Sequence, residues 1–232
     1  QQADMIDRNQ QTPYAQSWNL DIQHKLPKDI LFEIAYSGSR GVNLAGTLEY
    51  NQIDPQFMAL GTKLNDQVTN PFYGIITEGP ISEKTITRGQ SLRPYPQYVG
   101  VSSRDATYGA SVYHAMYLKV ERRFSKGFSA LGSYTWSKLI DDVIPSRTGF
   151  PGESFSGAPL QNYYDRRSER ALASFDTPHN LVISSVYELP FGPGKAFLNR
   201  GGAVGKIIGG WQVNGIALFQ SGPPLQVNGG NG

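Results

Sequence analysis

The chain has 232 residues, with 21 basic and 19 acidic side chains and a formal charge of +2. That balance, without a run of Lys or Arg, argues against a nucleic-acid partner, and the absence of cysteine removes disulfide frameworks and thiolate metal sites. Glycine (26) and proline (15) work against long helices, and no segment reaches the roughly 18 consecutive apolar residues of a membrane helix, so any crossing of a bilayer falls to strands.

Taken in order, residues 1–11 are polar, with neither a basic n-region nor an apolar h-region, so no signal peptide is expected there and the sequence reads as an excerpt. Alternation begins at Ala15. Trp18, Leu20, Ile22 and Leu26 share one side with His24, and Asn19, Asp21, Gln23 and Lys25 take the other. After Pro27-Lys28-Asp29 a second strand runs from Ile30 to Ser39, with Phe32, Ile34 and Tyr36 opposite Glu33, Ala35 and Ser37. Residues 40–109 carry turn signals such as Asp54-Pro55, Asn70-Pro71 and Arg93-Pro94-Tyr95-Pro96 and are expected to form one long loop, with a short helix near Gln56 to Leu64.

The second pair is the clearest. Val112, His114, Met116, Leu118 and Val120 lie opposite Tyr113, Tyr117, Lys119 and Glu121, and Ser125-Lys126-Gly127 turns the chain into Phe128 to Lys138, where Phe128, Ala130, Tyr134 and Trp136 share a side. A second long loop is expected over 139–177. A third pair opens at His179, with Leu181, Ile183, Tyr187 and Leu189 on one side, and closes along Gly210 to Gln220. The stretch from Ala196 to Gly209 admits a short helix, an added strand piece or an interfacial segment, and Pro223 to Val227 reads as the start of a seventh strand. The predicted fold is therefore all-β: an antiparallel meander of about six or seven strands in hairpins, forming one domain over 1–232 as a partial barrel or curled sheet. Hairpins with one oily face, short turns at one end and long loops at the other are the pattern of an outer-membrane barrel.

Catalytic motifs are sparse. Of the three histidines, His24, His114 and His179, none shows the spacing of a zinc site. Asp176-Thr177-Pro178-His179, with Ser174 just before it, places a carboxylate and a hydroxyl near an imidazole, the material of an oriented general base. Asp141, Asp142, Glu153 and Asp165 are oxygen donors suited to calcium, although their spacing matches no established calcium loop and solvated loop charges partnered by Arg147, Arg166, Arg167 and Arg170 are the favoured reading. Together these residues define an enzyme alternative, a calcium-dependent hydrolase of small esters or lactones. Gly152-Glu153-Ser154-Phe155-Ser156 lacks the second glycine of a nucleophile elbow, and Gly201 to Ile207 lacks the spacing and hydroxyl of a phosphate loop. A third reading is a loop-based binding module. Tyr50, Phe72, Tyr73, Tyr95, Tyr98, Tyr108, Phe150, Phe155, Tyr163 and Tyr164 populate the long loops, where aromatics suit sugars, peptides or organic ligands.

Several blocks carry a family resemblance. Tyr113-His114-Ala115-Met116-Tyr117-Leu118-Lys119-Val120-Glu121-Arg122-Arg123-Phe124-Ser125-Lys126-Gly127, then Ser133-Tyr134-Thr135-Trp136-Ser137-Lys138, resembles the barrel of TonB-dependent outer-membrane receptors of the carboxypeptidase-regulatory-like type. Arg166 to Asp176 with Pro178-His179, Tyr187-Glu188-Leu189-Pro190-Phe191-Gly192, and Gly209-Gly210-Trp211-Gln212-Val213 with Gln220-Ser221-Gly222-Pro223-Pro224 fit the same group in the same order. The resemblance implies part of a closed barrel of about 22 strands with a plug, lodged in the outer membrane of a Gram-negative-type bacterium. The implied parent contacts outer-membrane lipid, captures a small-molecule, sugar or peptide ligand at its loops and imports it, with no cofactor expected. Taken alone, six or seven strands leave open edges, which invite edge-strand oligomers or curling of the oily faces into a core. The two outcomes differ in burial: Leu118, Tyr134 and Ile183 either share an exposed face, as in a barrel wall, or meet in an interior.

Overall fold

The computed structural model describes residues 1–143, 160–199 and 201–225. The fold is all-β. Ten strands, β1 (Gln2–Asp4), β2 (Tyr14–Leu26), β3 (Ile30–Glu49), β4 (Gln67–Thr69), β5 (Thr85–Thr87), β6 (Gly100–Ser125), β7 (Phe128–Asp141), β8 (Ala171–Leu172), β9 (His179–Glu188) and β10 (Gln212–Gln220), are joined by two short α-helices, α1 (Arg88–Ser91) and α2 (Gly202–Ile208), and by 3-10 turns at Pro55–Asn65 and Arg166–Glu169. The main sheet is open and runs β10-β9-β7-β6-β3-β2, with β1 added to β6 and β8 to β7; β4 and β5 form a separate ribbon. The three expected hairpins therefore lie side by side.

Local chemistry explains the turns. Lys28 and Asp29 have φ of 64° and 59°, and Lys126 and Gly127 have 52° and 79°; positive φ at both central residues is what a two-residue hairpin needs to follow the twist of its strands. The third hairpin is looser, with α2 inside its connection and Leu189 N–H closing onto Trp211 O at 2.8 Å. Pairing of β7 with β9 sets Phe128 opposite Tyr187, Ala130 opposite Ser185, Gly132 opposite Ile183 and Tyr134 opposite Leu181. Pairing of β9 with β10 sets Ile183 opposite Ala217 and Leu181 opposite Phe219. Phe128, Tyr134, Leu181, Ile183, Tyr187 and Phe219 thus share one face of these strands, while Leu131, Val182, Val186, Ile216 and Leu218 lie on the other among serines and asparagine.

Three expectations are corrected. The segment 40–109 is not one loop: β3 continues to Glu49 and β6 begins at Gly100. Glycines at 41, 46, 100 and 109 blur the alternation there, and at Gly46 a Cβ would stand 2.5 Å from the Tyr108 hydroxyl, so close packing requires glycine. The second loop is likewise shortened by β7, which reaches Asp141, and by β8. Pro223–Leu225 has no regular structure, and Gln226 and Val227 lie outside the described residues. The polar beginning also adds a strand that periodicity could not show, β1, parallel to β6 with Gln2 opposite Gly100.

The chain divides into two compact units: one of Gln1–Gln16, Arg40–Val112 and Ile140–Ala173, the other of Ser17–Ser39, Tyr113–Leu139 and Ser174–Gly232. They are built on opposite principles. In the first, the loop unit, Leu48, Ile81, Ile86, Val101, Ala106, Leu160 and Ala173 are buried; in the second, the strand unit, Ala115 is the buried apolar side chain among the described residues. Leu48, Ala106 and Leu160 form a small core beneath Tyr50, Tyr108 and Tyr163. Its polar counterpart is Asn51, which is fully buried. The Asn51 amide donates to Tyr95 O (3.0 Å) and Tyr98 O (2.7 Å) and accepts from Tyr95 N–H (2.8 Å), while Gln90 donates to Pro96 O and Tyr98 O. One buried amide thereby satisfies main-chain groups that no sheet reaches.

Replacing Asn51 by Ala leaves these groups unpaired in a dry site and is expected to cost the loop unit about 3 kcal/mol. Faster amide hydrogen exchange and proteolysis over residues 88–101, with the β7–β9 amides unchanged, is the expected readout.

Candidate functional site

In the strand unit the outward sides of adjacent strands carry two rows of aromatic residues. Trp18 Nε1 donates to Tyr36 Oη at 3.3 Å, and Tyr36 Oη shares a 2.7 Å hydrogen bond with His114 Nδ1, the two rings stacking at 6.0 Å. Trp136 pairs in register with His179, whose Nδ1 is 2.8 Å from Tyr134 Oη. At the other end, Phe128 meets Tyr187 edge-on at 6.3 Å, and the Arg122 guanidinium lies 5.2 Å from the Phe128 ring centre. From Trp136 to Phe128 along β7, as from His179 to Tyr187 along β9, is about nine residues, the length of a strand that crosses a bilayer.

Between the rows the face is apolar and open. Leu118, Val120, Ala130, Tyr134, Leu181 and Ile183 border a depression of about 390 Å³. Ile183 is 44% exposed and Val120 46%, while Leu118 and Tyr134 are half-buried and none of the residues posed as the test of a wall is fully buried, so they do not meet in an interior. Every residue of β2 and β10 is exposed. Each Leu, Ile or Phe left in water forgoes about 1.5–3 kcal/mol, which makes hydrocarbon the solvent this face fits.

The opposite face is mostly polar, with Leu131, Val182, Val186, Ile216 and Leu218 interspersed on β7, β9 and β10. Gln23 donates to Glu33 at 3.2 Å, Lys119 lies between Glu33 (3.8 Å) and Glu121 (3.4 Å), and the Tyr113 and Tyr117 hydroxyls are 3.4 Å apart. Ser129, Ser133 and Thr135 continue that side along β7. An apolar outside, an aromatic row at each border and a polar inside on alternating residues describe the wall of a transmembrane β-barrel. A model of an outer membrane beta barrel domain matches residues 1–232. The chain belongs to this family of outer-membrane barrel domains. Neither the curated proteins nor the solved structures compared with it yield a match.

Within this barrel domain the sequence-derived catalytic candidates are tied into the strands. Asp176 is buried, 4% exposed, and its Oδ1 accepts the Leu139 N–H at 2.9 Å. His179 is held by Tyr134 on its ring and donates its main-chain N–H to Ser221 Oγ at 3.0 Å. Ser174 has a partner of its own. No hydrogen bond joins Asp176 to His179 among the described residues, so the pair closes the entrance to β9 while the imidazole joins the aromatic row. His114 joins that row too, and His24 sits on exposed β2.

The calcium candidates are dispersed. Asp142 accepts the Ala110 N–H at 2.5 Å, and Asp165 caps the 3-10 turn at Arg166–Glu169 by accepting from Arg167 N–H at 3.1 Å. Glu153 lies outside the described residues, as do Arg147, Phe150, Phe155 and the segment 152–156. Among the described residues no group of three or more His, Asp or Glu gathers as a metal site. Asp141, in the loop unit, is pushed up to about 6, by burial first and by the Asp142 charge second.

The loop aromatics do gather. Tyr50 and Tyr163 stand 5.3 Å apart, Tyr163 and Tyr164 5.6 Å, and Tyr164 is 43% exposed. Gln52 holds the group by accepting from Tyr163 N–H (2.8 Å) and donating to Leu160 O (2.6 Å). Burial and the nearby Asp54 raise the Tyr164 hydroxyl above its usual range. Periodicity could not reveal Asn51 and Gln52, because their partners are main-chain groups far along the chain.

Two outcomes follow. Ile183→Lys is expected to cost about 2–4 kcal/mol in membrane insertion, against little for Ser184→Lys on the polar face. In a water-soluble sheet, the exposed Ile183 position would instead tolerate lysine within about 0.5 kcal/mol. Folding yield into vesicles, read by heat-modifiable mobility, distinguishes them. For Asp141, a folded-state value near 6 against an unfolded 3.8 means that the folded state binds the extra proton between those pH values. Its contribution to stability is therefore full below about pH 4 and lost as pH rises towards 6. Asp141→Asn is expected to flatten that slope in a pH series of loop-unit hydrogen exchange.

Proposed function

We propose that this barrel domain is part of a TonB-dependent receptor of the carboxypeptidase-regulatory-like type, whose whole protein captures a nutrient at its outward loops and imports it. The observation that carries the reading is the division of the chain: an exposed apolar strand face, and a separate loop unit with its own core and a tyrosine cluster at its surface. A passive barrel needs no loop folded around a buried amide network, whereas a receptor needs loops whose shape exists before the ligand arrives. The ordered sequence blocks from Tyr113 to Pro224 support the same family type.

In this reading β2 and β10 pair with further strands of the parent barrel, since exposed edges on both sides are otherwise sites of aggregation. The ligand class that fits the tyrosines is a sugar or peptide, held by ring faces with Gln52 and Asp54 nearby. Uptake by cells carrying the whole protein is the test. Import of a bound oligosaccharide or peptide is expected to stop when the inner-membrane proton gradient is collapsed, while surface binding persists. Import that continues unchanged without the gradient marks a passive pore and sinks the receptor reading.

A further inference from the structure

A groove in the loop unit has the chemistry of an anion site with an oily floor. It encloses about 370 Å³ and is bordered by Arg40, Ala110, Val112, Ile140, Asp142 and Arg170, with Ser111 alongside. Register explains why these residues meet. Ile140 pairs with Leu172 and Asp141 with Ala171, which carries Arg170 to the level of Asp142; Asp142 N–H donates to Ala110 O at 3.2 Å, and Arg40 comes from β3, the next strand in the sheet. Both arginines are exposed, and neither side chain makes an ion pair or hydrogen bond among the described residues. The Asp142 carboxylate is held against β6 by the Ala110 N–H, so the three charges leave a net positive groove.

We infer that this groove binds the phosphate of an outer-leaflet glycolipid of the lipid A class. Guanidinium forks match phosphate oxygens in pairs, and unpaired arginines offer them without breaking an internal contact. The floor distinguishes a lipid from a free anion: Ala110, Val112 and Ile140 offer no donor side chain, and Leu172, opposite Ile140, is 44% exposed. Alternation along β3 sets Arg40 on the side that carries Tyr36. On a barrel, long loops face the exterior and basic residues just beyond an aromatic row stand at headgroup depth. The inference rests on the barrel family and is independent of whether the parent imports anything.

The test uses the whole protein purified in non-ionic detergent, with native mass spectrometry counting bound diphosphoryl lipid A, its dephosphorylated form and inorganic phosphate. Wild type is expected to retain the diphosphoryl lipid and to prefer it at least tenfold over the dephosphorylated one. Arg40→Ala and Arg170→Ala should each weaken retention about tenfold, and the lysine variants should fall between, since lysine keeps charge but loses the fork. Arg88→Ala, at an arginine already paired with Asp66, should leave retention unchanged. Equal retention by wild type and the double alanine variant overturns the site. Equal affinity for inorganic phosphate and lipid A overturns the lipid source. Heat-modifiable mobility of each variant reports barrel assembly separately, so failure of the barrel reading and failure of the groove are distinguishable.

Discussion

Hydrocarbon provides no hydrogen bonds, so a strand that crosses it must find a partner for every main-chain N–H and C=O in its neighbours. That constraint organises the strand unit. Its first two hairpins turn tightly, at Lys28-Asp29 and Lys126-Gly127, so that pairing begins at once on either side. Its registers match through the apolar stretch, from Phe128 opposite Tyr187 to Trp136 opposite His179. Side chains are then free of any duty to the backbone and sort by solvent along β3 and β6, with Phe32, Ile34, Leu118 and Val120 outward and Glu33, Lys119 and Glu121 inward, whereas β7 and β10 keep Leu131, Ile216 and Leu218 on the inner face. Rings with a polar tip stand at the borders, where the Tyr36–His114 and Tyr134–His179 pairs satisfy their polar atoms on each other.

The loop unit meets the opposite condition. It folds by burying apolar side chains, and Leu48, Ala106 and Leu160 supply a core too small to order long irregular segments alone. Side-chain amides complete the work. Asn70 donates to Ile81 O and Glu83 O while accepting from Phe72 N–H, just as Asn51 organises residues 95–98. Each replaces the missing sheet partner of several main-chain groups at once, which is why irregular segments can be rigid without being helical or extended.

How much of this was legible in the sequence follows from the same physics. The wall was readable because alternation is a local property: Trp18 to Leu26 and Val112 to Val120 declare their two faces residue by residue. Beyond the bilayer that signal fades, since both faces of a strand can be wet, and Arg40 to Glu49 and Gly100 to Gly109 therefore read as loop although they are strand. The partial site was less legible. Asp176 and His179 are near in sequence, and proximity suggested chemistry, but the carboxylate turns to the Leu139 N–H and the imidazole to Tyr134. Tyr50, Tyr163 and Tyr164 were visible as aromatics; their meeting depends on Gln52 reaching across to Leu160 and Tyr163, a contact without a local signature.

Aspartate in the two units shows how position decides chemistry more than residue type does. Asp176 lies where a strand must be entered, and a carboxylate that accepts a main-chain N–H there extends the hydrogen-bonding of the sheet by one rung. Asp142 does the same at the end of β7, for Ala110. Asp54 and Asp165 cap 3-10 turns by accepting from Gln56 and Arg167. Three carboxylates weighed for catalysis or metal binding, Asp176, Asp142 and Asp165, are thus anchored by the backbone. Asp141 is left half-buried beside another negative charge, and Arg40 and Arg170 are left without partners among the described residues. Function is best sought where such obligations are unmet, because a group already committed to the fold has to break that bond before it can serve a ligand.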